Sequence, residues 1–161
     1  MLVDFYNKIP DDARIWIYAS EKSLTKNQER YILKFISHHI QNWEAHKLPL
    51  TAGVTILEHH FIIVALDESK NRASGCSIDT LQKTIQNLEK ELSINLMNRL
   101  SVFCKIGNEI QCVPSHKLAD VVKSDTLFFD ITIQKKSEIQ TYLKPIREGW
   151  CNRYLNFNDK L

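Results

Sequence analysis

The predicted fold is organised around a short stretch, residues 73–79, which reads Ala73-Ser74-Gly75-Cys76-Ser77-Ile78-Asp79. It follows the most hydrophobic run of the chain, Phe61 to Leu66, and directly precedes a helix with a regular apolar pattern. The first N–H groups of a helix have no partner within it and carry about half a positive charge, which favours an anion or a thiolate there. We therefore expect residues 74–79 to form a bend whose N–H groups open towards a hollow that solvent can reach.

The helix after this stretch is predicted from apolar side chains at three- and four-residue spacing. Ser77 is the expected N-cap, and Asp79 lies in the first turn, where the helix dipole favours a carboxylate. The apolar positions are Ile78, Leu81, Ile85, Leu88 and Leu92.

Upstream, the pattern predicts a strand, a helix and two further strands. The first strand is Arg14 to Ala19, and a helix begins at Thr25, where Thr25-Lys26-Asn27-Gln28 fits a capping box. Thr51 to Leu57 and Phe61 to Leu66 are the next strands, and the second of them is the buried central one. The first dozen residues lack periodicity and are expected to lie over the surface.

Downstream, the turn residues Gly107-Asn108 predict a hairpin of Ser101 to Ile106 with Glu109 to Val113. In this register Phe103 lies opposite Cys112. A short helix is expected after Pro114-Ser115, then a strand over Thr126 to Ile133. The second capping box, Ser137-Glu138-Ile139-Gln140, predicts a terminal helix that Pro145 interrupts.

The order strand, helix, strand, strand, helix, strand is that of a ferredoxin-like βαββαβ unit. We therefore predict an α+β fold with a ferredoxin-like core and a C-terminal extension made of a hairpin strand, a short helix, a strand and a terminal helix. Because the chain has no internal repeat and no Gly/Ser/Pro linker, residues 1–161 are expected to form a single domain.

The composition excludes several classes of protein. With 161 residues and a formal charge of +2, the chain has neither the basic excess typical of nucleic-acid binding nor an apolar run long enough for a bilayer. No signal peptide pattern opens the sequence, so a cytoplasmic location is expected. The four cysteines include no C-x-x-C pair and are expected to be reduced thiols.

Two interpretations of residues 74–79 remain open. In the first, Ser74, Gly75, Cys76, Ser77 and Asp79, with Asp67 from the end of the central strand, bind a small anion or a carboxylate of a partner. In the second, Cys76 is a nucleophile and a histidine, with His46 as the candidate, is its base. The structural alternative for Cys76 is a tight helix entry built from small residues, since free cysteines are commonly buried and inert.

Neither a metal nor a cofactor is expected. The six histidines include the adjacent pairs His38-His39 and His59-His60, whose members point in different directions, and no H-E-x-x-H spacing occurs. His39 lies on an apolar helix stripe and is expected to be a hydrogen-bonded core residue. The sequence contains no G-x-x-x-x-G-K-[ST] loop, and its four glycines cannot form G-x-G-x-x-G.

Several segments together resemble a family of small bacterial proteins. They are Arg14-Ile15-Trp16-Ile17-Tyr18, Trp43-Glu44-Ala45-His46, Phe61-Ile62-Ile63, residues 73–79, Asn98-Arg99-Leu100 and the tail around Trp150. Members of this family often carry the label "ABC transporter ATPase". An ATPase of that class needs a phosphate-binding loop and a signature helix, and the chain has neither. The resemblance thus implies a bacterial cytosolic protein and supplies no catalytic residue.

The functional expectation is a non-catalytic binding or interaction domain, and the alternative is a cysteine-dependent enzyme. A nucleotide binder that uses the same helix start is a weaker alternative. Because a ferredoxin-like sheet leaves an exposed edge or face, we expect a homo-oligomer, most simply a dimer, and either a small anionic ligand or a protein partner. Nucleic acid and membrane insertion are not expected.

Overall fold

The computed structural model describes residues 2–155, with the side chains of residues 5–155. It is an α+β protein with antiparallel sheets. The chain divides into two compact units. The first contains the residues up to Met97 together with Ile133–Glu138, and the second contains Asn98–Thr132 and the residues from Ile139 onward. A single domain over residues 1–161 stays a prediction.

The first unit is built on a three-stranded antiparallel sheet. In chain order its elements are α1 (Leu2–Lys8), β1 (Arg14–Ala19), α2 (Lys26–Gln41), β2 (Glu44–Ala45), β3 (Leu48–Pro49), β4 (Thr51–Leu57), β5 (Phe61–Asp67) and α3 (Gly75–Leu92). The sheet order is β1-β5-β4, and β2 pairs with β3 in a separate small hairpin. All seven residues of β5 are buried, which confirms the prediction of a central strand.

The apolar stripes of α2 and α3 form the core of this unit against one face of the sheet. Ile32 and Ile36 of α2 and Leu81 and Ile85 of α3 are fully buried there. The capping box at Thr25 is confirmed, because its hydroxyl accepts from the N–H of Gln28 while the Gln28 side chain accepts from the N–H of Thr25. A three-to-four spacing on each helix therefore led to the correct buried faces.

The first residues do not lie over the surface as an irregular segment, as the sequence predicted, but form α1. The helix packs so closely on β4 that a Cβ added to Gly53 would lie 2.7 Å from the Cα of Tyr6. Lys136 donates to the carbonyls of Tyr6 and Ile9, at 3.0 and 2.6 Å, and so satisfies the end of the helix. These contacts come from residues far away in sequence, which is why local periodicity missed α1.

The second unit contains a four-stranded antiparallel sheet of order β7-β6-β8-β9. Its elements are β6 (Ser101–Ile106), β7 (Glu109–Pro114), a 3₁₀ turn (Ser115–Lys117), α4 (Leu118–Val121), β8 (Leu127–Phe129), β9 (Leu143–Pro145) and 3₁₀ turns at Ile146–Glu148 and Trp150–Tyr154. Phe103 lies opposite Cys112, which confirms the predicted hairpin register. A further 3₁₀ segment spans Lys136–Thr141.

Two predictions about topology need correction. Ser101–Ile106 does not join the first sheet as the fourth strand of a ferredoxin-like unit, because its hairpin turn commits it to β7 and its other edge to β8. The predicted terminal α-helix is also absent from the described residues. Pro145 lies in β9 opposite Leu127, and the segments on either side of β9 are 3₁₀ turns. A proline lacks the N–H that a helix interior needs, whereas it is tolerated in a short edge strand.

Candidate functional site

Residues 74–79 do not form the predicted bend, because the helix has already begun at Gly75. Its N-cap is Ser74 and not Ser77, a correction of three residues. Ser74 Oγ accepts from the N–H of Ser77 at 3.1 Å, and Ser77 Oγ accepts from the N–H of Ser74 at 2.7 Å. The two serines thus form a reciprocal capping box and use N–H groups that an anion would otherwise contact.

Ser77 is further tied into the core. Its side chain is buried, and its carbonyl accepts from Trp43 Nε1 and from Thr80 Oγ1, each at 2.8 Å. Gly75, Cys76 and Asp79 lie on the opposite, exposed side of the same helical turn. The predicted binding residues within 74–79 are therefore divided between a buried hydrogen-bond network and an exposed surface.

Asp67 ends β5 and braces the loop that follows. Its Oδ1 accepts from the N–H of Ser69 at 3.0 Å and from Ser69 Oγ at 2.6 Å. The side-chain bond from Ser69, together with the backbone bond, lowers the pKa of Asp67. Asn71 extends the bracing, since its Nδ2 donates to the carbonyls of Ala45 and Leu48 at 3.1 Å each.

Cys76 and His46 do not form a catalytic pair in the structure. Both side chains are exposed, and the part of the chain that the structure describes contains no hydrogen bond or ion pair to either. His46 lies in the turn between β2 and β3 with a φ of 55°. The nucleophile-to-base contact that activates a thiol is therefore not made.

A second feature, which the sequence did not reveal, is the outer edge of β4. In an antiparallel sheet the N–H and C=O groups of alternate residues point to the same side. Ile15 and Ala19 of β1 donate away from β5, to the carbonyls of Gln134 and Leu96. Ala65 lies opposite Ile15, so its backbone N–H and C=O also point away from β1. They point to Gly53 of β4, on the other side of β5. The backbone groups that point away from the sheet are those of Ala52, Val54 and Ile56.

A cavity of about 420 Å³ borders this edge, and we call it the β4-edge cavity. Its lining comes from α1, from α2, from the residue before β4 and from β4 itself: Phe5, Ser37, Ile40, Gln41 and residues 50–54. Ala52 and Val54 are only 2% and 1% exposed. Among the described residues, their outward backbone groups have no hydrogen bond. Such buried main-chain groups are normally paired, so this edge is unusual.

The other sheet edges carry features that discourage pairing. The outer edge of β1 is covered by the carbonyls of Gln134 and Leu96. In the second unit, β7 contains Glu109 and Pro114, and the three-residue β9 contains Lys144 and Pro145. Charge, proline, cover and short length are the usual means by which proteins protect edges. β4, which reads Thr-Ala-Gly-Val-Thr-Ile-Leu, has seven residues and neither charge nor proline, although Ala52 and Val54 within it are buried.

No family model, curated protein or solved structure matches the chain. None of the described helices is long and apolar enough to cross a membrane. Over the same residues, no group of three or more His, Cys, Asp or Glu side chains is placed to hold a metal ion.

Proposed function

We propose that this chain is a non-catalytic binding domain that receives an extended, uncharged segment of a partner protein along the outer edge of β4. The observation that carries the proposal is the set of buried, outward-facing backbone groups of Ala52 and Val54 beside the β4-edge cavity. An added strand supplies alternating donors and acceptors at the required spacing, as in other cases of strand addition.

The lining of the cavity supports an uncharged occupant. Phe5 and Ile40 are apolar, and Ser37, Gln41 and Thr51 are polar without charge. A charged side chain placed there would lose water without gaining an ion partner, at a cost of several kcal/mol. The volume of about 420 Å³ also suits a short segment and not a folded surface.

The predicted anion site at residues 74–79 has less support, because Ser74 and Ser77 bond to each other. A cysteine-dependent enzyme has less support as well, since no base contacts Cys76 among the described residues. A bacterial cytoplasmic setting, which the sequence predicted, belongs to the same proposal. The expected homo-oligomer is the special case in which a second copy supplies the strand.

The test is a titration of the ¹⁵N-labelled full chain with an acetylated, amidated peptide that has the sequence of residues 51–57. We expect shifts confined to β4 and the facing parts of α1 and α2. Val54→Pro removes one outward N–H and leaves the bonds to β5 in place, so it should abolish the shifts. Ile110→Pro is the matched control. Its N–H points outward from β7, where the Gly107-Asn108 turn pairs Ile106 with Glu109.

Peptide shifts that persist in Val54→Pro, or no shifts in the parent chain, would refute the proposal. Sedimentation of the chain without peptide measures its oligomeric state and so tests whether a second copy occupies the edge. A dimer that Val54→Pro converts to monomer would identify the added strand as one supplied by a second copy of the chain.

A further inference from the structure

A second cavity, of about 500 Å³, lies between α2 and α3 in the first unit, and we call it the α2–α3 groove. Its α2 side contains Tyr31, Lys34, Phe35, His38 and His39, and its α3 side contains Thr84 and Asn87. These residues are different from those that line the β4-edge cavity. The volume falls within the range of roughly 300–1,000 Å³ that small-molecule sites occupy.

The groove presents an aromatic wall. Tyr31 and Phe35 lie one helical turn apart, and their rings stack with centroids 5.9 Å apart and planes 24° from parallel. Tyr31 is nevertheless 41% exposed, so part of its ring is available for further stacking. Phe35 also packs against the core cluster that contains Ile32 and Ile36, whereas Tyr31 is not among the residues of that cluster. Such a surface favours a planar ligand.

The charged side chains that line the groove indicate the sign of the charge that a ligand should carry. Lys34 lines the groove with a basic side chain, and no Asp or Glu lines it. Burial, followed by the nearby His38, lowers the pKa of His39, so His39 is neutral near pH 7. A cation would meet an unfavourable charge at Lys34 despite the aromatic rings, whereas an anion is complementary to it.

We propose that the α2–α3 groove binds a planar aromatic carboxylate, stacked on Tyr31 and paired with Lys34. Asn87 supplies an amide that can donate a hydrogen bond from the opposite wall, whereas the Thr84 hydroxyl already bonds to His39 and to the carbonyl of Thr80. Stacking provides most of the affinity, because Lys34 is exposed and an exposed ion pair contributes little.

The test uses indole-3-carboxylate as the probe and the neutral indole-3-carboxamide as its isostere, titrated into the ¹⁵N-labelled full chain. We expect the carboxylate to shift amides of residues 31–39 and 84–87 and to bind more tightly than the amide. Tyr31→Ala should weaken carboxylate binding about five- to tenfold. Lys34→Gln should weaken it about two- to fivefold and remove its preference over the carboxamide. Lys26→Gln, a change in the first turn of α2 away from the groove, should have no effect.

Equal binding of the two probes in the parent chain would overturn the proposal. So would shifts that map elsewhere, or carboxylate binding that Lys34→Gln and Lys26→Gln weaken to the same extent. Circular dichroism of each variant shows whether a loss comes from unfolding, and Lys34→Arg, which keeps the charge, should retain the preference.

Discussion

At the scale of single residues, His39 has a hydrogen-bond partner at only one of its two ring nitrogens within the described part of the chain. Its Nδ1 lies 3.0 Å from Thr84 Oγ1, and Thr84 Oγ1 donates to the carbonyl of Thr80 at 3.0 Å. The hydroxyl therefore accepts the Nδ1 proton. The buried Nε2 then has a lone pair and no partner within the described part of the chain. Protonation would place an unpaired charge there, which burial penalises.

This arrangement predicts a loss of stability in acid. Because the folded pKa of His39 lies below its ordinary value of 6.5, the unfolded chain takes up the proton first. The stability due to neutral His39 is therefore present above about pH 6.5 and is lost as the pH falls towards the folded pKa. In urea unfolding from about pH 8 to pH 5.5, His39→Gln should lose less stability than the parent chain. His46→Gln, which changes an exposed histidine, should behave like the parent, and equal pH slopes for all three proteins would contradict the assignment.

The cysteines differ in exposure, and this predicts their reactivity. Burial raises the pKa of Cys104 to about 12 and that of Cys151 to about 11, whereas Cys76 is exposed. Iodoacetamide at neutral pH should label Cys76 in the native chain at a rate close to its rate in urea, because no base assists it. Cys104 and Cys151 should react only after unfolding. A native Cys76 rate about tenfold above the unfolded one would favour the cysteine-dependent enzyme.

At the scale of elements, the start of α3 depends on a single pair of serines. Ser74→Ala should lower the free energy of unfolding by about 1 kcal/mol, because an N–H loses its cap. Thr25→Ala tests the equivalent capping box of α2 and should cost a similar amount. Urea unfolding followed by circular dichroism measures both. If Ser74→Ala leaves the free energy of unfolding unchanged while Thr25→Ala lowers it as expected, Ser74 is not the N-cap of α3.

The elements also show what local sequence could and could not predict. The strands at Arg14–Ala19 and Thr51–Leu57 and the capping box at Thr25 were predicted correctly, since hydrophobic period and cap chemistry are local signals. The cap at Ser74 was missed because two serines three residues apart both suit an N-cap. The terminal segment was misassigned because its capping-box pattern outweighed Pro145, whose effect depends on the pairing of β9 with β8.

At the scale of the whole molecule, the sequence predicted the α+β class but not which strands share a sheet. Hairpin signals fixed β6 with β7, whereas the pairing of β6 with β8 joins residues that are more distant in sequence. The same limit applies to the site. Residues 74–79 were singled out by their chemistry, while the β4-edge cavity arises from α1 and α2 flanking a strand edge. The one available signal was the lack of charge over Thr51–Leu57.

The proposed function depends on backbone groups of alternating direction in β4, and amide hydrogen exchange observes them one by one. In the chain alone, the amides of Gly53 and Thr55 bond to β5 and should be protected, whereas those of Ala52 and Val54 should exchange faster. Addition of the peptide with the sequence of residues 51–57 should slow exchange at Ala52 and Val54 and leave Gly53 and Thr55 unchanged. Exchange at Ala52 and Val54 that the peptide does not alter would contradict strand addition at this edge.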